Sequence, residues 1–161
     1  MSELDDQAPD PREYERVMTL LHEHLGTRVV HEPYVQAVEH DPTIPRWYVR
    51  FGGEGRDAAT IYFDLHQRSL HYEIYFLPDP GRNLEALYRF LLVPNHDAYR
   101  AAFSLAPDGD IYLRGRCLLE HLDQAELDRI IGSLYLLTER TFSSAIDIAD
   151  RKSTRLNSSH T

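Results

Sequence analysis

Apolar residues near the start of the chain recur at three- and four-residue intervals, which is the spacing of one face of a helix. Asp10 is placed to cap the first amides of this helix, Pro11 suits its first position, and Glu13 completes the spacing of a capping box. Gly26 is a natural end for the helix. The apolar face consists of Tyr14, Val17, Met18, Leu21 and Leu25.

Three later runs alternate apolar and polar residues with period two, which predicts β-strands. The runs begin at Arg46 and at about residues 58 and 69, and the short links between them predict an antiparallel meander. Gly53 and Gly55 predict the first turn, whereas the proline-containing stretch 31–45 before the runs is predicted to be irregular. The side chains predicted to face the core are Trp47, Val49, Phe51, Ala59, Ile61, Phe63, Leu65, Leu70, Tyr72, Ile74 and Phe76.

The second half of the chain predicts a helix, a hairpin and a last helix. Asn83 is placed to cap the first of these helices, Pro94 to end it, and residues 107–110 to form the hairpin turn. Asp123 and Glu126 have the spacing of a second capping box, which opens the last helix. The apolar positions of these elements are Leu84, Leu87, Tyr88, Leu91, Leu92, Phe103, Leu105, Ile111, Leu113, Cys117, Leu127, Ile130, Ile131, Leu134, Leu137 and Phe142. The predicted order is αβββαββα, and the predicted fold class is α+β, an antiparallel sheet of about five strands with helices packed on it.

The length and composition predict one globular domain. The chain has 161 residues, of which 42% are hydrophobic and 27% charged, both ordinary values for a folded domain. Residues 10–150 are predicted to form the domain, and residues 1–9 a flexible arm. Residues 151–161 are predicted to be non-native, because KSTRLNSSHT has no apolar period and looks like a translated sequencing adapter.

The charge and the cysteine content narrow the function classes. A formal net charge of −9 disfavours a nucleic-acid partner, because such binding depends on Lys and Arg neutralising phosphates. No run reaches the eighteen apolar residues that suggest a membrane span. Cys117, the single cysteine, cannot form an intramolecular disulfide, and the predicted compartment is the reducing cytoplasm.

Several segments resemble the YbjN family of bacterial sensory-transduction regulators. The resemblance lies in RWYVRF at 46–51, in the run at 61–80, in LEALYRFLL followed by Asn95, in the run at 101–116 and in LDRIIGSLY. It covers roughly residues 12–148, and it departs from the family's pattern at Val93 and Pro94, where polar or basic residues are expected. The resemblance implies a fold like that of type III secretion chaperones, in which two copies often pair. It implies no catalytic residues.

No sequence motif predicts an enzyme. Phosphate-binding loops, the nucleophile elbow and the dinucleotide fingerprint are all missing from the sequence. The nine histidines suggest a metal site, but His22 and His24 are two residues apart and would point away from each other. Cys117 and His121 could converge, but the sequence shows no further pair of ligands to complete a four-ligand site. Cys117 lies in the apolar phase of its strand, which favours packing over nucleophilic chemistry. We therefore expect no catalytic residue, no metal and no cofactor.

The second face of the predicted sheet is the candidate site. Tyrosine and arginine, which are enriched where proteins touch, alternate with the core positions there. Two interpretations stay open: a protein-contact face, or a wetted face on which tyrosines pair across strands. Its arginines are expected to neutralise neighbouring carboxylates. The candidate contact residues are Tyr48, Arg50, Tyr62, Asp64, His71, Glu73, Tyr75, Tyr112 and Arg114.

The sequence therefore predicts a non-enzymatic regulatory or chaperone-like module that binds a protein or peptide and forms a homodimer. The alternative is a small-molecule sensor or enzyme centred on Asp64, His71 and Glu73, because these three polar side chains share the same face.

Overall fold

A computed structural model of the chain describes residues 8–52 and 59–152. The predicted turn at Gly53 and Gly55, residues 1–7 of the predicted arm and residues 153–161 of the predicted tail lie outside the described residues. The helices are α1 (Pro11–Leu20), α2 (Leu84–Asn95) and α3 (Gln124–Asp150), and the strands are β1 (Val35–His40), β2 (Arg46–Phe51), β3 (Ala59–Leu65), β4 (Ser69–Leu77), β5 (Ala102–Leu105) and β6 (Ile111–Leu118).

The strands form one six-stranded antiparallel sheet in the order β1-β2-β3-β4-β6-β5. The predicted α+β class and antiparallel pairing are confirmed, but the strand count is higher than predicted. β1 lies within the stretch 31–45 that was predicted to be irregular. A register shift between Val35 and Ala37 breaks its alternation, and Pro33 and Pro42 lie just outside its ends. The prolines therefore bound this strand instead of preventing it.

One face of the sheet forms the core. Trp47, Phe63 and Ile74 are almost fully buried in one cluster with apolar residues of all three helices. Aromatic contacts fix α3 against this face: the rings of Phe76 and Phe142 lie 5.5 Å apart at their centroids. The predicted core phase of β2, β3 and β4 is confirmed, since Trp47, Val49, Phe51, Ile61, Phe63, Leu65, Leu70, Tyr72, Ile74 and Phe76 are all buried.

The helix ends agree with the sequence in part. Asp10 caps α1 by accepting a hydrogen bond from the Arg12 amide at 3.0 Å. Asp123 caps α3 by accepting from the Glu126 amide at 2.7 Å. Neither glutamate of the predicted boxes is recorded bonding back to its cap, because Glu13 accepts from Arg16 and Glu126 is engaged by other side chains.

Asn83 precedes α2 but does not cap it as predicted. Its backbone is left-handed, with φ of 56°, and its side chain makes no hydrogen bond to the helix. Instead, its Nδ2 donates to the carbonyls of Ile148 at 3.0 Å and Arg151 at 2.6 Å. The amide therefore satisfies carbonyls at the end of α3, a non-local role that no local pattern encodes. At the other end, Pro94 lies inside the last turn of α2, one residue before its end.

α1 continues into a π-helical turn, Leu21–Leu25, before Gly26. The turn buries His24, whose Nε2 lies 2.6 Å from Oδ1 of Asp128 on α3. Arg16 also reaches across to the carbonyls of Leu119 and Leu122, at 2.7 Å each. These polar contacts join the first helix to the start of the last one.

Candidate functional site: the open face of the sheet

The nine predicted contact residues lie on one face of the sheet, opposite the core. We call it the open face. Strand register sets Tyr48 against Tyr62, Tyr62 against Glu73, and Glu73 against Arg114 in one row across β2, β3, β4 and β6. All nine side chains are at least partly exposed. The structure therefore brings together the predicted set Tyr48, Arg50, Tyr62, Asp64, His71, Glu73, Tyr75, Tyr112 and Arg114.

At the β2–β3 end of this face, aromatic and ionic contacts are combined. The Tyr48 and Tyr62 rings meet edge to face with centroids 5.3 Å apart, and the Arg46 guanidinium lies 5.7 Å from the Tyr62 ring centroid. Arg46 also binds Asp64 through two hydrogen bonds, of 2.6 and 3.2 Å. The hydrogen bond to Asp64 raises the pKa of Arg46, so the Arg46 guanidinium keeps its positive charge at any physiological pH.

A second tyrosine pair occupies the β4–β6 side. The Tyr75 and Tyr112 rings lie 5.2 Å apart, again edge to face, and the Tyr75 hydroxyl donates to Asp110 at 3.0 Å. Partial desolvation, followed by the hydrogen bond to Asp110, raises the pKa of Tyr75. Desolvation and the charge of Glu73 raise the pKa of Tyr112. Both tyrosines are therefore neutral hydrogen-bonding groups, and Tyr75 is 46% exposed.

The arginines of the open face differ in how far they are neutralised. Arg46 is fully paired with Asp64, and Arg114 lies 3.9 Å from Glu73. Arg50 donates a hydrogen bond to the neutral amide of Gln36, at 3.3 Å, and forms no ion pair with the residues that the structure describes. Arg116, which is exposed and opposes His71, makes no ion pair with any residue in 8–52 or 59–152. Of the three arginines that were expected to be neutralised on this face, Arg50, Arg114 and Arg116, an ion pair among the described residues is therefore seen for Arg114.

The alternative site residues are close together but already engaged. Asp64 and His71 oppose each other across β3 and β4, with Glu73 two positions further along β4. Asp64 is bound by Arg46. The His71 Nε2 lies 3.0 Å from Oγ of Ser69, and the His71 ring centroid lies 4.0 Å from that of His66. Within the described part of the chain, no three His, Cys, Asp or Glu side chains converge as a metal site would require.

Two concave surfaces beside α2 lie away from the open face, and the sequence did not indicate either. An apolar groove of about 180 Å³ between α2 and β5 is lined by Tyr88, Leu91, Leu92, Phe103, Ser104, Leu105 and Ile111. A shallower one of about 620 Å³ lies between α2 and α3, beside Val93 and Leu136. Leu92 and Leu105, two of the apolar positions of these elements, are 61% and 55% exposed and line the α2–β5 groove instead of the core.

Two sets of buried polar contacts, around Glu126 and around Tyr72, were not predicted from the sequence. The carboxylate of Glu126 accepts hydrogen bonds from Tyr99 at 2.6 Å and Arg129 at 2.9 Å and also pairs with Arg100. Burial alone would raise the pKa of Glu126, but these hydrogen bonds outweigh it and hold the pKa below its usual range. Arg100 has a positive φ of 51°, and its carbonyl accepts from the Tyr72 hydroxyl at 2.6 Å. Such long-range polar pairing has no local signature.

Among the helices described, none is both long enough and apolar enough to cross a membrane.

Comparison with known proteins finds sequence similarity to proteins of mycobacteria. No family model matches it. It is 32% identical over 108 residues to the uncharacterized protein ML2442 of Mycobacterium leprae, covering 67% of this chain and 59% of that protein. It is 30% identical over 109 residues to the uncharacterized protein Rv0487 of Mycobacterium tuberculosis, covering 68% and 60%. The chain therefore spans about three fifths of the length of these curated relatives.

Among solved structures, the chain is similar to a chain in the HopA1-SchA chaperone-effector complex. The TM-score is 0.51 at 18% sequence identity, and the match covers 83% of this chain and 98% of that one. At this identity the likeness concerns the fold. The α+β fold with one antiparallel sheet, predicted to be chaperone-like, is therefore shown for this chain.

Proposed function

We propose that this chain is a non-catalytic protein-binding module of the regulatory or chaperone-like kind, and that it captures a protein or peptide segment on the open face of its sheet. The observation that carries the proposal is the one-sided sheet. Its helices cover one face, and the other presents tyrosine pairs and arginines that are at least partly exposed. Aromatic and arginine side chains of this kind contribute much of the binding energy at protein interfaces.

The comparisons support this proposal at the level of fold. A chain of similar fold belongs to a complex described as chaperone-effector, and binding another protein is the role we transfer as a hypothesis. The finer assignments are proposals of the same kind: a YbjN-like regulator of sensory transduction, a cytoplasmic location and a homodimer.

The open face is suited to contact because its side chains are already positioned. Tyr48 braces Tyr62, and Tyr112 braces Tyr75, so little rotamer freedom remains to be lost on binding. A rigid tyrosine offers a large apolar area with a hydroxyl at its edge. A partner segment would therefore meet a preorganised surface, which reduces the entropic cost of association.

The test is capture of partners from the parent bacterium by the purified, tagged chain, with mass spectrometry as the readout. A Tyr62→Ser, Tyr75→Ser double variant should lose the captured protein while its circular-dichroism spectrum stays native. The matched control is Leu92→Ser, which removes an exposed apolar side chain from the α2–β5 groove and should retain capture. Unchanged capture by the tyrosine variant would exclude the open face, and loss only in Leu92→Ser would assign binding to the groove.

The competing proposal is a small-molecule sensor or enzyme at Asp64, His71 and Glu73. The observation in its favour is their adjacency on β3 and β4. A metabolite that binds there would raise the thermal midpoint of the native chain, because a ligand that binds only the folded state stabilises it by about 2.7 kcal/mol at a hundredfold excess over Kd. Loss of that shift in His71→Gln, but not in His96→Gln, would favour the sensor.

A further inference from the structure

One end of the open face carries a row of charged and polar side chains that crosses four neighbouring strands. Strand register sets Arg46 against Asp64, Asp64 against His71, and His71 against Arg116. We call these four residues the Arg116 row. With strands about 4.8 Å apart, the row is about 14 Å long.

The row holds more positive than negative charge. Its one carboxylate, Asp64, is bound by both nitrogens of the Arg46 fork, at 2.6 and 3.2 Å. Arg116 at the other end is exposed and forms no ion pair with any residue that the structure describes. Since Asp64 is already neutralised, the Arg116 guanidinium is the uncompensated charge of the row.

Within the row, the neighbours of Arg116 are hydrogen-bonding groups without negative charge, and Glu73, two positions beyond His71 on β4, lies 3.9 Å from Arg114. His71 lies directly across from it, 3.0 Å from the Ser69 hydroxyl. The exposed imidazole of His66 contacts that of His71, with ring centroids 4.0 Å apart and the rings tilted by 30°. An anion beside Arg116 would therefore meet imidazole groups and no second carboxylate of the row.

This local excess stands out against a chain whose formal net charge is −9. At physiological ionic strength, charges more than about 8 Å apart are largely screened. An acidic group that reaches the row therefore interacts electrostatically with Arg116 and its neighbours, and the repulsion from distant carboxylates is screened. Arginine also presents a planar fork that matches a carboxylate.

We propose that the Arg116 row is the part of the open face that binds carboxylates of an acidic segment of the protein partner. This inference rests on the proposed function and adds the chemistry of the partner to it. An extended chain advances at most about 3.3–3.6 Å per residue, so four or five residues of such a segment match the length of the row. Tyr62, two positions from Asp64 on β3, lies beside this segment and would contact its apolar side chains.

The test uses the full chain and fluorescein-labelled hexaglutamate as the probe, with hexaglutamine and hexalysine as comparison peptides. Hexaglutamate should bind in fluorescence anisotropy at low salt, whereas the other two should not. Removing the charge in Arg116→Gln should weaken binding up to about fivefold, the range of an exposed ion pair, and reversing it in Arg116→Glu should weaken binding further. Arg12→Gln and Arg12→Glu are the matched controls, because Arg12 is 96% exposed on α1, which packs against the other face. They should leave binding unchanged.

The inference would be overturned by an absence of hexaglutamate binding or by equal losses in the Arg116 and Arg12 variants. Displacement of the probe by inorganic phosphate as readily as by free glutamate peptide would also overturn it, and would assign the row to phosphoryl groups. Preferential binding of a single-stranded oligonucleotide would likewise replace an acidic protein segment by nucleic acid. Capture from lysate separates this failure from failure of the proposed function. If Arg116→Glu captures the partner normally while the Tyr62→Ser, Tyr75→Ser variant does not, only the acidic-segment inference fails.

Discussion

The side-chain amide of Asn95 pairs with the backbone of Phe103 as a neighbouring strand would. Its Oδ1 accepts from the Phe103 amide at 2.7 Å, and its Nδ2 donates to the Phe103 carbonyl at 3.1 Å. β5 is an edge strand of the sheet, and unpaired edge groups are sites of unwanted strand pairing. Asn95 at the end of α2 therefore closes the edge at this residue.

Asn95→Ala should lower the free energy of unfolding by about 1–3 kcal/mol, because it leaves both groups of Phe103 without their partner. Urea denaturation measures the loss. The same variant should self-associate more as its concentration rises, as followed by light scattering. Gln67→Ala, which changes an exposed amide in the β3–β4 turn, is the control and should stay within about 0.5 kcal/mol of the parent. A stable, monodisperse Asn95→Ala would show that the amide does not close the edge.

Gly115→Ala should be destabilising by about 1–3 kcal/mol, the usual cost of overpacking. A Cβ at this position would lie 2.1 Å from the Arg100 carbonyl oxygen and 2.8 Å from Cε1 of Tyr72. Gly132→Ala on α3 is the matched control, since nothing lies within 4 Å of its added Cβ. It should raise stability by about 0.5–1 kcal/mol because alanine favours the helix. Chemical denaturation should show changes of opposite sign in the free energy of unfolding of the two variants, and changes of the same sign would contradict the prediction.

Glu126→Gln tests the buried network around Tyr99, Arg100 and Arg129. The pKa of Glu126 is lowered on folding, so its charge stabilises the fold above the unfolded pKa of about 4.3, and this contribution is lost as the pH falls through the folded pKa. The variant should therefore be less stable at neutral pH by about 2 kcal/mol, the order of a charged hydrogen bond. It should also lose less stability than the parent as the pH falls below about 4.3. Parallel pH curves for parent and variant would contradict this role.

Cys117 should react slowly with a thiol reagent in the native chain. Its side chain is buried with 1% exposure, and burial raises the pKa of its thiol, so little reactive thiolate is accessible at pH 7. Colorimetric labelling at pH 7 should require minutes to hours, and addition of denaturant should release one fast-reacting thiol per chain. Rapid labelling of the native chain would show that the β6 packing opens readily.

The strand phases were predictable wherever one face is buried and alternation is unbroken. β2, β3 and β4 meet that condition, and their core residues follow the period-two pattern. β1 does not, because its irregular register near Val35 and Ala37 removes the pattern. A strand on the rim of a sheet buries little, so its sequence is under weaker constraint.

The candidate face was predictable as a set of residues, whereas its pairing was not. Alternation places Tyr62 and Asp64 on the same side of β3, but the contacts of Arg46 with both depend on strand register and side-chain direction. The same limit applies to Asn83, whose partners lie more than sixty residues away. Local patterns report which face a residue occupies, and tertiary structure decides what it touches.

Because the helices cover one face of the sheet, neighbouring residues along each strand are under different structural constraints. Alternate positions meet different requirements. The side chains of one set must pack in the interior, whereas those of the other set lie on the open face and can change with the partner. Diverging copies of such a scaffold can therefore acquire new binding preferences by substitutions at alternate residues, without repacking the interior and without losing the architecture.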